Sequence, residues 1–287
     1  MQTNRIRNRA VGKKKRIADA LVFVLLLAFC CVILYPFMIA VTMSLKTTKE
    51  AALNPIGLPE TLLLSNYSDA FLSMNFMSVF GNSVFLTIFS LIGIIVCSGI
   101  ASYVIAWSDK KKLYNLLYLF FISGIMIPFH TTLVPLTKLM KNLGLLNSLP
   151  GMVLFYIGRN MPMAIFLYTG FVRGVSREIL EAGRIDGANV WQLYWKVLFP
   201  IMVPITSTII VLDAMNIWND FLFPRIVLTS KANRTITLAQ FFFKTENMNR
   251  WNLAFAAYVL TITPIIVFYF LFQRNIVSGV AAGAVKG

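Results

Sequence analysis

Six apolar runs, most of them long enough to cross about 30 Å of hydrocarbon, constrain this chain more than any other feature. They cover 20–43, 79–107, a stretch from Leu113 to at least Ile127, 149–171, 201–223 and 253–272. A soluble chain of 287 residues, 58% hydrophobic and 13% charged, lacks the polar side chains to cover its own surface. Composition therefore argues against a soluble enzyme, a disordered chain and a secreted disulfide scaffold. The fold class it predicts is an all-α membrane protein with six transmembrane helices. Pro36, Pro128, Pro162, Pro204 and Pro264 lie in or beside these runs and imply kinks that neighbouring helices accommodate. The first run starts like a secretory signal, but its apolar core is too long and no small-x-small site follows, so it reads as a retained helix.

The 26 Lys and Arg residues outnumber the 11 Asp and Glu, for a net charge of +15. They sit between the apolar runs rather than on one face of a folded domain. With the N-terminus inside, sixteen basic residues fall in 1–19, 108–112, 172–200 and 273–287, and nine in 44–78, 129–148 and 224–252. The positive-inside rule thus predicts a multi-pass protein of the cell membrane with both termini cytoplasmic. The tract Lys13-Lys14-Lys15-Arg16 weighs most. The organisation is a basic tail over 1–19, a membrane domain over 20–272 and a tail over 273–287. Cys30, Cys31 and Cys97 lie inside apolar runs and read as small hydrophobes. His130 is the only histidine, and one histidine makes neither a metal site nor a triad. In the longest outer loop, 44–78, the Asn54-Pro55 and Leu58-Pro59 steps disfavour a continuous helix.

The inside segment 172–200 is too regular for a slack linker. Ser176 suits a helix N-cap, with Glu178 in the first turn. The helix is expected to run to about Asp186, and Gly187 suits the left-handed position after it. Asn189 can cap a second helix, in which Val190, Leu193, Tyr194, Val197 and Leu198 form an apolar stripe ended by Pro200. One face would pack under the bundle, leaving Glu181, Arg184 and Asp186 for a partner.

This loop resembles the EAA loop of permease subunits of ATP-binding-cassette importers, E-A-A-x(3)-G-x(9)-I-x-L-P. The chain has Glu181-Ala182-Gly183, then Gly187, then Val197-x-Phe199-Pro200 at the family spacing. Ile185-Asp186-Gly187-Ala188 matches the I-D-G-A of the sugar-permease form. Gly183, Val197 and Phe199 depart from the pattern by small or apolar exchanges. The ending Gly283-Ala284-Val285-Lys286-Gly287 resembles that of the maltose-permease G-like group of carbohydrate importers. The resemblance implies a type I importer permease fold and a role in importing a di- or oligosaccharide by alternating access. It also implies a second, F-like permease subunit, two ATPase subunits that hold ATP and Mg, and an extracytoplasmic solute-binding protein. Glu181, Ala182, Gly183, Asp186, Gly187 and Ala188 would couple to the ATPase. Lys286 and Gly287 read either as further ATPase contacts or as a frayed end. The chain has no GxxxxGK[ST] phosphate cradle, so ATP hydrolysis is expected elsewhere, and no cofactor is expected in this chain.

The fifth run carries Asp213, Asn216, Asn219 and Asp220, with the first, second and fourth expected on one helix face. A carboxylate in mid-membrane costs about 2.5–3.5 kcal/mol, so Asp213 should face a cavity or a partner. Beside Trp218 these polar groups read either as contacts to a sugar in a translocation pathway or as headgroup-level residues. Arg159 is the other charge at membrane depth, and it either pairs with one of the aspartates or snorkels. An ion-coupled transporter or channel using Asp213, Asp220 and Arg159 is the alternative function.

Overall fold

In the computed structural model the backbone is described for residues 2–108 and 110–284, and side chains for 19–108 and 110–273. Lys286 and Gly287 lie outside the described residues. The described residues form helices and connecting turns, with no strand; short helices α3 (Ser65–Ser73), α10 (Phe199–Ile201), α12 (Leu222–Val227) and α13 (Ile236–Glu246) lie among those placed below.

Among the described residues three helices are long and apolar enough to cross a membrane: 26 residues of α1 (Gln2–Ser44), α4 (Phe76–Trp107), and 23 residues of α14 (Trp251–Ala284). Two further expected runs are apolar helix pairs bent sharply at a short break. α5 (Lys111–Met126) and α6 (Phe129–Asn142) meet at 103°, because Pro128 sits between them with extended backbone. The segment expected as an outer loop at 129–148 is therefore largely helical. The remaining run, α7 (Leu149–Val172), is a single helix of 24 residues whose hydropathy Arg159 and Asn160 lower.

The expected fifth run, 201–223, is corrected in extent. The helix through Pro200 continues to Ile201, breaks at Met202 by 74°, resumes as α11 (Val203–Asn219) and stops before Asp220. Pro200 does not end a helix. It stands in the first turn of a short helical segment, where its missing N–H costs nothing. The C-terminal tail expected from Gln273 is likewise a continuation of α14, helical to Ala284.

The chain divides into two compact units, Met1–Phe71 with Lys244–Leu260, and Leu72–Phe243 with Thr261–Gly287. In the first, side chains from Asp19 to Met38 of α1 are exposed, an apolar surface that only lipid or protein can cover. α1 ends in a polar clamp. The Ser44 hydroxyl is 2.6 Å from that of Tyr67, the Asn66 amide donates to the Ser44 and Lys46 carbonyls, and the Asn252 amide donates to Asn66 Oδ1. The Lys46 ammonium is fully buried and donates to the Asn54 carbonyl at 2.6 Å, which holds the chain where α2 (Thr48–Leu53) stops before the Asn54-Pro55 step.

The core of the second unit is α4 packed along α7. Ser90, Ser98, Gly99 and Ser102 are buried on α4 and let the backbones approach. The Ser102 hydroxyl donates to the Ile165 carbonyl, and the Tyr168 hydroxyl donates to Thr206 Oγ1 at 3.0 Å, joining α7 to α11. Leu86, Ile94, Tyr156, Leu198, Met202 and Ile209 fill the space between.

Candidate functional site

The segment after α7 forms two short helices around a glycine turn. α8 (Arg177–Ile185) is capped by Ser176, whose hydroxyl accepts from the Glu178 N–H at 3.3 Å. Asp186 closes it, and Gly187 follows at φ +79°, a region open to glycine and strained for a side chain. Asn189 caps α9 (Val190–Gln192) through a reciprocal pair with Gln192, both bonds 2.9 Å.

Beyond α9 the helix widens. Leu193–Leu198 is a π-helix, with the Phe199 N–H bonded five residues back to the Tyr194 carbonyl. Such turns frequently mark functional sites. Of the expected apolar stripe, Leu193, Tyr194 and Leu198 are buried and Val197 half-buried, whereas Val190, in the turn ahead of the π-helix, is exposed.

Leu180 and Leu193 hold α8 against the π-helix. A Cβ on Gly183 would sit 2.7 Å from Leu193 Cδ2, so glycine replaces the family's alanine where the leucine leans in. Tyr194 reaches the deepest point. Its ring lies 5.7 Å from that of Tyr103, and its hydroxyl abuts Gly99 of α4, where any Cβ would collide with it. Sequence reasoning placed Tyr194 on a packing face but did not find this insertion into the main bundle.

The opposite face points outward. Glu181, Ala182, Asp186 and Gly187 are exposed, while Gly183 and Ala188 are half-buried. Arg184 is exposed with them, as are Ile185 at 86% and Val190 and Trp191 at 61% each, so this side of the hairpin carries charges of both signs together with exposed apolar side chains.

The polar residues of the fifth run do not act as one face. Asp213 is buried at 8% exposure and makes no hydrogen bond or ion pair with a described residue. Asn216 is exposed. Asn219 returns its amide to the Met215 carbonyl at 2.8 Å. Asp220 lies beyond the helix, with extended backbone, and this decides the partner of Arg159: the guanidinium is 3.2 Å from Asp220 Oδ2. The same oxygen accepts from the Tyr156 hydroxyl at 3.1 Å, and Oδ1 accepts from the Leu222 N–H at 3.1 Å. Arg159 also stacks on Phe129, 4.0 Å from the ring centroid. Tyr156 was missed in the sequence, although its position three before Arg159 places both on one side of α7. His130 is exposed beside Phe129.

Behind the ion pair lies an open cavity of about 810 Å³ between α5, α6 and α7. Arg159, Asn160 and Asn216 are its polar residues beside Thr132, and Phe129 and Phe155 stand with them. The Asn160 amide nitrogen is buried without a partner among the described residues.

Residues 98–282 match the family of binding-protein-dependent transport system inner membrane components. The chain belongs to that family. It is 35% identical over 251 residues, 88% of this chain and 91% of the other, to the probable starch degradation products transport system permease protein AmyC of Thermoanaerobacterium thermosulfurigenes. It is 32% identical to the multiple sugar-binding transport system permease protein MsmG of Streptococcus mutans, over 92% and 96% of the two chains. With the melibiose/raffinose/stachyose import permease protein MelC of Bacillus subtilis the identity is also 32%, over 90% and 93%. A chain in the crystal structure of a bacterial ABC transporter that imports the acidic polysaccharide alginate shares its fold, with a TM-score of 0.77 at 22% identity over 90% and 96% of the two chains. The match identifies the fold as that of an importer permease.

Proposed function

We infer that this chain is one permease subunit of a binding-protein-dependent sugar importer, and that its α8–α9 hairpin is where a separate ATPase drives it. The observation that carries this reading is the two-sidedness of the hairpin. Glu181 and Asp186 face out among apolar side chains, while Tyr194, five residues after Asn189, is wedged against Gly99 in the main bundle. A push on the outer face is thereby delivered to α4. Burial of Leu180, Leu193 and Leu198 makes the hairpin move with its footing, since truncating a buried leucine costs about 2–5 kcal/mol.

The assembly consists of this chain, a second permease, two ATPase subunits carrying ATP and Mg, and a solute-binding protein on the outer side. The termini, the 108–112 connection and the hairpin face the cytoplasm. Asn216, with Arg159 and Asn160, offers amide and guanidinium donors to the hydroxyls of a passing di- or oligosaccharide, with aromatic rings to stack its apolar faces. Asp220 serves this pathway indirectly, by holding Arg159 in place.

Transport into vesicles that follows ATP and requires the ATPase supports the assignment. Uptake driven by an ion gradient with no ATPase present would overturn it. Two narrower results are expected. A thiol introduced by Ser108→Cys, with the three native cysteines replaced by serine, reacts with a membrane-impermeant reagent only from the cytoplasmic side; reaction from outside rejects the orientation. Asn216→Leu lowers sugar uptake about tenfold, the effect of losing one neutral hydrogen bond of about 1.4 kcal/mol, while ATPase assembly is retained. Unchanged uptake removes Asn216 from the pathway.

A further inference from the structure

At the end of the bundle where α4 stops, α7 stops and α5 begins, there is a second cavity of about 300 Å³. Its walls carry Lys111, Arg173 and Arg177, together with Trp107 and Asn115. None of the three cations pairs with a carboxylate of the described residues. All three are exposed, and Arg173 is held in place. The Arg173 guanidinium donates to Asn115 Oδ1 at 3.0 Å and lies over the Tyr118 ring at 4.8 Å. The Trp107 indole N–H donates to the Val172 carbonyl at 3.4 Å, which sets its ring at the rim. Buried Ile105 and Val172 make the floor.

We propose that this cavity binds the phosphodiester headgroup of an anionic phospholipid of the inner leaflet. Three helix ends that mark a membrane boundary converge on it, so the cavity stands at headgroup depth. The charged side chains among its described walls are all cationic, which suits a phosphate carrying a neutral polyol and offers no partner to the ammonium of a choline or ethanolamine headgroup. Asn115 supplies an amide for a glycerol hydroxyl. Arg177 is the first residue of α8, and Lys111 the first of α5. A bound headgroup therefore bridges the root of the hairpin to the bundle and stiffens the joint on which the hairpin swings. The inner-leaflet assignment rests on the orientation given above; the pocket itself does not depend on transport.

The test is native mass spectrometry of the intact importer, extracted in detergent from vesicles containing equal phosphatidylglycerol and phosphatidylcholine. Retention of phosphatidylglycerol over phosphatidylcholine is expected, falling about fivefold for each of Lys111→Gln and Arg177→Gln, the effect of one basic residue at an anionic surface. Both side chains are exposed, so neither substitution disturbs packing. The charge-matched Lys138→Gln/Lys141→Gln pair should retain phosphatidylglycerol as the parent does. Equal retention of both lipids, or undiminished phosphatidylglycerol in the Lys111 and Arg177 variants, overturns the proposal. Displacement of phosphatidylglycerol by inorganic phosphate marks a free-anion site and overturns the lipid assignment. Retention by the isolated chain that vanishes in the assembled importer identifies a protein occupant and overturns it too. None of these readouts needs sugar or ATP turnover, so a failure here is distinct from a failure of the importer assignment. Thiol labelling at Lys110→Cys, an exposed position outside the cavity lining, reports separately on the leaflet.

Discussion

Gly187→Pro is expected to yield a chain that inserts in the membrane and joins its partner permease but no longer couples to ATP hydrolysis, with substrate-stimulated ATPase activity falling at least tenfold. Gly187 sits at φ +79°. The proline ring locks φ near about −65°, so the turn between α8 and α9 cannot form as it is. The substitution also removes the Gly187 N–H that donates to the Arg184 carbonyl at 3.0 Å. The two helices then lose their mutual angle, and the outer face no longer sits above the Tyr194 wedge. Gly187→Ala is the graded form. Alanine reaches the left-handed region at a cost of about 1–2 kcal/mol, so partial coupling is expected. Glu181→Ala separates surface from scaffold. The residue is exposed with no cap or packing duty, so the fold is unchanged and any loss of ATPase assembly reports on the contact itself. Normal ATPase stimulation in both Gly187→Pro and Glu181→Ala would remove the hairpin from the coupling path.

Asp220→Ala is expected to act on stability first and on transport as a consequence. One carboxylate holds Arg159, the Tyr156 hydroxyl and the Leu222 N–H. Removing it strands a guanidinium and a phenol that is fully buried. Breaking a buried pair costs about 3–5 kcal/mol; Arg159 is 26% exposed, so the lower end applies, about 3 kcal/mol. The expected result is a fall in folded, detergent-extractable protein and a lower midpoint of thermal unfolding. Arg159→Met combined with Asp220→Leu should recover much of that loss, because it removes the stranded charge as well. If Asp220→Ala unfolds at the parent temperature, the triad of Tyr156, Arg159 and Asp220 is not a structural lock. Asp213→Ala probes the other carboxylate, which has no partner among the described residues; relief of an uncompensated buried group predicts unchanged or higher stability.

Local signals were legible wherever the chain's neighbours along the sequence decide conformation. The Ser176 and Asn189 caps, the end of α8 at Asp186 and the left-handed Gly187 follow from hydrogen bonds spanning two or three residues and from one missing Cβ. The stop of α2 at Asn54 follows from the proline after it. Less legible were features that depend on a register of helical turns. The π-turn at Leu193–Leu198 buries Leu193, Tyr194 and Leu198 while Val190, ahead of it, stays exposed, and it seats Tyr194 against Gly99, about ninety-five positions away in the chain. The fifth run was drawn through Asp220 as though a helix continued. It ends at Asn219, where the carboxylate turns back to Arg159.

Hydropathy and local capping are enough to specify a helical membrane protein with a capped, glycine-hinged hairpin ahead of its fifth run, because burial of long apolar stretches and short-range hydrogen bonds act along the chain. Packing between distant segments sets the rest: that Asp220 rather than Asp213 answers Arg159, that Gly183 and Gly99 are clearances for Leu193 and Tyr194, and that Lys111, Arg173 and Arg177 share one cavity. Those outcomes depend on which helix faces meet, and helix faces meet according to packed volume and pairing between segments far apart in the chain, which no local pattern encodes.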